Sequence, residues 1–306
     1  MVRLFAAVLL LLSACAARRE AEAPADIAAI REAERRLGVE PTGNFGHASH
    51  RPAYGLCYFT GKLELPESYD GLRWKEIESG RCPADPDRFD VFTYRPEALA
   101  GRESPVTAAL AESQPERAAF VIAHEDFHDQ AEIRRLPASL DEAAATLAGL
   151  LTAIEHARLT AGSGSAAFEK ANRAPAAFGR KAERVNAAFQ RLRDLYSEAK
   201  AAGVSREGAL ERKREEFERL AADCEGEERF ESFHACPAAL NNAGLAFDHT
   251  YTQDYPLLWE AHQALGGDAA GTVAFLREEL PSAGKKAEEV RAFVRRRIAQ
   301  AAGATE

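Results

Sequence analysis

From Ile27 to Leu37 apolar and charged residues alternate at helical spacing, which predicts a first amphipathic helix. Between Pro41 and Pro96 the texture changes. Glycine, proline and aromatic residues separate short apolar runs such as YGLCYF and FDVFTY, which read as strands. After Pro105 alanine, leucine, glutamate and arginine dominate and the pattern is helical. Residues 118–132 and the alanine-rich run LDEAAATLAGLLTAIEHA predict two successive helices. Ala166 to Ala202 repeats apolar and charged residues at helical period, with Pro175 expected to kink or start a helix there, and Ser205 to Cys224 forms a further charged helix. Together these predict an antiparallel helical arm, about residues 163–224, that is structural or partner-facing. A small N-terminal sheet followed by many helices gives an α+β, mainly α, class, with one unit over residues 26–306 carrying the helical hairpin as an insertion.

The start of the chain differs in kind. Met1 to Ala14 holds one basic residue, Arg3, followed by LFAAVLLLL, an apolar run too short to cross a bilayer as a mature helix, and it reads as a secretion signal. Leu12, Ser13, Ala14 and Cys15 then resemble the lipobox of bacterial lipoproteins, in which the signal is cleaved before a lipidated cysteine. That resemblance implies a lipid anchor at Cys15, residues 15–25 as a tether, and a place on the outer membrane facing the periplasm, because Ala16 stands where an aspartate would favour the inner membrane. More than one acyl chain would hold the protein stably on a membrane it does not span. Removing Arg3 with the signal takes the formal charge from −9 to −10, which argues against electrostatic binding of nucleic acid. Four cysteines remain, Cys57, Cys82, Cys224 and Cys236. In an oxidising compartment they suggest two disulfides with three possible connectivities, proximity favouring Cys57 with Cys82 and Cys224 with Cys236.

The chemistry centres on AAFVIAHEDFHDQAE, residues 118–132. On a helix His124 and His128 stand about 40° apart around the axis and roughly 6 Å apart along it, so both imidazoles can reach one metal ion. Zinc takes nitrogen ligands and, in catalytic sites, keeps one position open to water, whose pKa it lowers towards about 7. Glu125 lies on the same side and is placed to take a proton from that water as general base. A third ligand is expected from the next helix, where Glu142 opens the alanine-rich run and small residues let the two helices approach closely. Glu155 and His156, about three turns further on, are the competing ligands.

VIAHEDFH followed by LDEAAATLAG resembles the paired motif of gluzincin metallopeptidases, and more closely the bacterial lipoprotein family called putative aminopeptidase. The likeness extends to FDVFTYRPEALAG upstream and LNNAGLAFDHTYTQDYP downstream. It implies a gluzincin-like core, a single zinc ion on His124, His128 and Glu142, Glu125 as base, a peptide substrate, and FDVFTY as an edge strand that binds extended substrate backbone. In the downstream segment Tyr251 is the candidate donor to the oxyanion of a tetrahedral intermediate. The chain also departs from the pattern. Asp126 stands where an apolar residue is usual and must find an arginine or water. Asp141 replaces an asparagine and adds negative charge near the metal. Thr146 occupies the position from which some gluzincins orient a histidine, leaving Asp129 as the candidate for that task. The expected function is a membrane-anchored, extracytoplasmic zinc peptidase; the alternative is a non-catalytic helical envelope lipoprotein that scaffolds a partner.

Overall fold

A computed structural model describes residues 27–303, except Ser79, Gly80, Arg102, Glu132 and Ala235. The signal, Cys15 and the tether lie outside the described residues. The first helix, α1, runs Ile27–Leu37 as its periodicity predicts, and buries Ile30, Ala33, Glu34 and Leu37. Three strands follow, β1 (Leu56–Gly61), β2 (Arg73–Glu76) and β3 (Phe89–Tyr94), paired antiparallel in the order β2-β1-β3. Tyr58 in the central strand faces Trp74 on one side and Phe92 on the other. The remainder is helical: α2 (Ala108–Ala111), α3 (Pro115–His128), α4 (Ala138–Ala161), α5 (Ala166–Ala201), α6 (Arg206–Asp223), α7 (Asn242–Thr252), α8 (Tyr255–Ala264), α9 (Ala269–Ala274) and α10 (Ala287–Gly303). Among the described residues no helix is long and apolar enough to cross a membrane.

The main core lies between α3 and α4 and the helices around them. Proline at the first position of α3 needs no amide partner there, and the helix then buries Ala118 to His124 almost continuously. Helix α4 is buried on most sides through alanine, leucine and glycine. The small residues act as expected. A Cβ placed on Gly149 would come 3.0 Å from the Phe120 carbonyl oxygen and 3.1 Å from its ring, so the closest approach of the two helices depends on that missing methyl group.

The helical arm is present but is not a projection. The proximal half of α5, through Ala174, Ala177, Phe178 and Ala182, belongs to the main core. Its distal half packs on α6 and Leu245 in a second cluster. Pro175 does not start a helix, since α5 continues through it. The Tyr255 hydroxyl donates to the Pro175 carbonyl at 3.0 Å, and burial of both residues outweighs one missing helical amide. Serine caps open both arms of the hairpin, Ser165 accepting from the Phe168 amide and Ser205 from the Gly208 amide. Lys213 of α6 donates to Asp90 of β3 and to the Lys62 carbonyl, which ties the hairpin to the sheet. Aromatic contacts join α7 to the same sheet, with Phe247 5.3 Å from Tyr58, 4.9 Å from Phe92 and 5.0 Å from Tyr94 between ring centroids. Both expected disulfides are formed, Cys57 to Cys82 and Cys224 to Cys236.

Behind the HExxH helix, α1 answers a question the sequence left open. Asp126 is 0 % exposed, and its partner is Arg31, which also bonds Glu34 at 3.1 Å and the Asn44 carbonyl at 2.7 Å. Thr42 and Asn44 donate to the other carboxylate oxygen. Burial, and then the Asp126 charge, push the Glu34 carboxyl from 4.5 up to about 8. The folded chain therefore binds that proton more tightly than the unfolded chain, so the stabilisation is complete below the ordinary carboxylate range and is lost as pH rises to about 8. Glu34→Gln should flatten the fall in urea-unfolding stability between about pH 5 and about pH 8. An unchanged slope in the variant would remove Glu34 from that account.

Candidate metal centre and active-site cleft

Helix α3 brings His124 and His128 onto one face, a single turn apart, and the first turns of α4 bring Glu142 against them. The Nε2 atoms of the two histidines are 3.1 Å apart, and Glu142 Oε2 lies 3.2 Å from His124 Nε2 and 3.3 Å from His128 Nε2. Ligands around a tetrahedral zinc ion, at about 2.0 to 2.1 Å from it, are separated by about 3.3 to 3.4 Å. The three atoms fit that spacing. Glu142 Oε2 is also buried without a hydrogen-bond partner, as a carboxylate oxygen turned towards a cation site would be. Among the described residues His124, His128 and Glu142 form a group able to hold a metal ion. Glu155 and His156 do not join it, and Glu155 instead binds Arg158 at the far end of α4.

Two of the three side chains, His128 and Glu142, are held from behind. Asp141 Oδ1 lies 2.7 Å from His128 Nδ1. A carboxylate can only accept, so Nδ1 carries a hydrogen, and Nε2 is left as the ring atom that faces Glu142 and His124 and can bind a cation there. Asp141, noted in the sequence only as added charge, is thus the group that orients a ligand. Asp129 is not. At the C-terminal cap of α3 it accepts from the Asn44 side chain at 2.8 Å and the Gly101 amide at 3.3 Å. On the other side, the Tyr69 hydroxyl donates to Glu142 Oε1 at 2.8 Å while its backbone amide donates to Thr250. Tyr69 escaped sequence reasoning because it sits in the irregular segment between β1 and β2, where no period marks which side chain turns inward. Asp141 had a readable signal, an aspartate in the first turn of a helix whose next residue is a ligand.

Electrostatics follow from this packing. Burial works against a charged His128, but Glu142 and Asp141 outweigh it and hold the imidazole well above its ordinary range. Burial also raises Glu142, yet His128 and His124 bring its carboxyl far below the usual carboxylate range. The carboxylates that favour a proton on His128 equally favour a cation between the rings. Burial pushes Glu125 upward, opposed by the two histidines and by the Ala100 amide that bonds it. A carboxyl raised in this way holds a proton more readily than a free one.

Two cavities meet at these side chains. An open cleft of about 460 Å³ exposes His124, Glu125, His128 and Glu142 between the Leu99–Gly101 segment and the aromatic face of the sheet. An inner recess of about 90 Å³ reaches from His124 and Glu125 towards α5. Tyr251 borders both, its ring stacked 6.1 Å from that of His124. Burial and then the Glu142 charge keep its phenol well above the ordinary range, so it remains a hydroxyl donor. FDVFTY does lie at a sheet edge, but of that strand only Tyr94 lines the cleft, and the Asn241 side chain already occupies the Val91 carbonyl. His249 and His262 are engaged elsewhere, with the Glu67 carbonyl and the Thr272 hydroxyl.

No curated protein and no solved structure matches the chain. A family model described as "Putative aminopeptidase" matches residues 99–291, so Phe89–Ala98 lies outside the likeness, whereas the Leu99–Gly101 wall, both ligand helices and Tyr251 lie within it. With more than half its length inside that match, and with His124, Glu125, His128 and Glu142 gathered at one cleft, the chain belongs to the putative aminopeptidase family.

Proposed function

We propose that the protein is a zinc-dependent peptidase whose ion is held by His124, His128 and Glu142. The observation that carries this reading is the triangle of ligand atoms, 3.1 to 3.3 Å on each edge, with Glu125 beside it on an open cleft. Zinc in such a site supplies Lewis acidity to a water molecule and to a scissile carbonyl. Glu125 takes the proton from the attacking water and returns it to the departing amine, a role that its raised pKa supports. Tyr251, kept protonated by burial, donates a hydrogen bond to the oxyanion from the mouth of the recess. Asp141 and Tyr69 keep the ligand atoms aimed. In this reading the gluzincin-like motif extends beyond the pentapeptide to the paired helix.

The membrane setting is part of the same proposal. The apolar leader and the sequence LSAC support lipidation of Cys15 and attachment to the outer membrane facing the periplasm, and two disulfides suit an oxidising compartment. Cys15→Ser should leave the chain unlabelled by a radioactive fatty acid in a bacterial host, where the parent chain is labelled. Equal labelling would remove the anchor.

Purified without chelator, the parent chain should carry near-stoichiometric zinc by elemental analysis and His124→Ala should carry none. Glu125→Gln should keep the metal and lose peptide hydrolysis by a factor of about 10² or more. Absence of zinc from folded parent protein challenged with added metal would sink the reading in favour of a scaffold. Asp141→Ala should weaken zinc binding about 10- to 100-fold in a chelator competition, and Tyr69→Phe less. Unchanged affinity in Asp141→Ala would show that the orienting bond is dispensable.

A further inference from the structure

The recess beside Glu125 has a composition that selects among peptides. Its walls carry the rings of Phe120, Phe178, Phe233 and Phe247, and it shares His124, Glu125 and Tyr251 with the cleft, so a group lying in it is next to the reacting bond. Apart from Glu125 at its mouth, the charged residues Glu97, Arg117, Lys181 and Asp248 that border it are already committed to one another. Arg117 holds both oxygens of Glu97, at 3.0 and 2.8 Å, and donates to the Ser232 carbonyl at 2.6 Å. Lys181 bonds Asp248 at 2.9 Å and the His234 carbonyl at 3.1 Å, and the second Asp248 oxygen accepts the Ala238 amide at 2.7 Å. A charged side chain passing beyond Glu125 into the recess would lose its hydration without gaining an unpaired counter-ion.

Size narrows the choice further. An apolar cavity of about 150 Å³ admits a benzene ring. At about 90 Å³ the recess is smaller and suits a branched four-carbon group.

We propose that this recess binds a leucine-sized aliphatic side chain of the substrate, on a residue flanking the scissile bond. The proposal rests on the peptidase reading above and adds the substrate class to it. Binding places the apolar side chain among the phenyl rings while the adjoining carbonyl lies at the cleft beside Glu125.

The test compares kcat/KM of the zinc-loaded full chain on matched peptides carrying glycine, alanine, leucine, phenylalanine or tryptophan in turn on each side of one bond. Leucine should exceed glycine by about 100-fold or more at one of the two positions, and tryptophan should fall below leucine, since each added carbon in such a pocket is worth up to about tenfold or more. Phe178→Ala should move the optimum towards phenylalanine and tryptophan, read as the ratio of each kcat/KM to that of the leucine peptide. Phe233→Ala, half-buried on the loop that closes the recess, gives the same shift should Phe178→Ala not fold. Cleavage without side-chain preference, or a preference that neither variant moves, overturns the recess alone. Failure of the parent chain to cleave any member overturns the peptidase reading, and the proposal falls with it.

Discussion

A carboxylate buried at the junction of two helices must find cationic or hydrogen-bonding partners within reach, or lose its charge. Around Glu142 the chain meets that requirement at one oxygen and leaves the other without a hydrogen bond, turned towards the histidines. One oxygen accepts from Tyr69, the other faces two imidazole nitrogens, and Asp141 fixes the proton on the far side of one ring. None of this is possible unless α3 and α4 come close, which is why the helices meet through alanine and glycine rather than through larger apolar residues.

The same rule governs the rear of α3. Asp126 alternates with the ligand face and turns into the protein, where Arg31, Thr42 and Asn44 surround it. Asn44 also reaches Asp129, so one side chain joins two acidic residues of the HExxH segment. Helix α1 and the segment after it therefore do more than cover the core. They set the rotation of the ligand helix about its own axis from behind, as α4 sets it from in front.

The meeting of His124, His128 and Glu142 was legible in the sequence because helical spacing fixes direction. His124 and His128 share a face whatever surrounds them, and Glu142 follows at the start of a run small enough to pack against them. The α+β class, the hairpin of α5 and α6 and both disulfides were legible for similar local reasons. What could not be read was any feature assembled from distant segments. Tyr69 comes from a turn, Arg31 from the first helix, and the recess walls from α3, α5, α7 and a loop. Of the two outcomes expected at Pro175, a helix start did not occur, because its local cost is offset by burial against a residue eighty positions away, Tyr255.

The two disulfides leave α3 and α4 untouched. One staples the central strand β1 to the segment ahead of β3, and the other closes the chain between the end of α6 and Pro237, enclosing the loop that carries Phe233. The ligand hairpin, by contrast, is joined through contacts between neighbours in sequence and contains no cysteine. The grouping of His124, His128 and Glu142 thus rests on no covalent link, whereas the walls around it include two links that close only where thiols are oxidised.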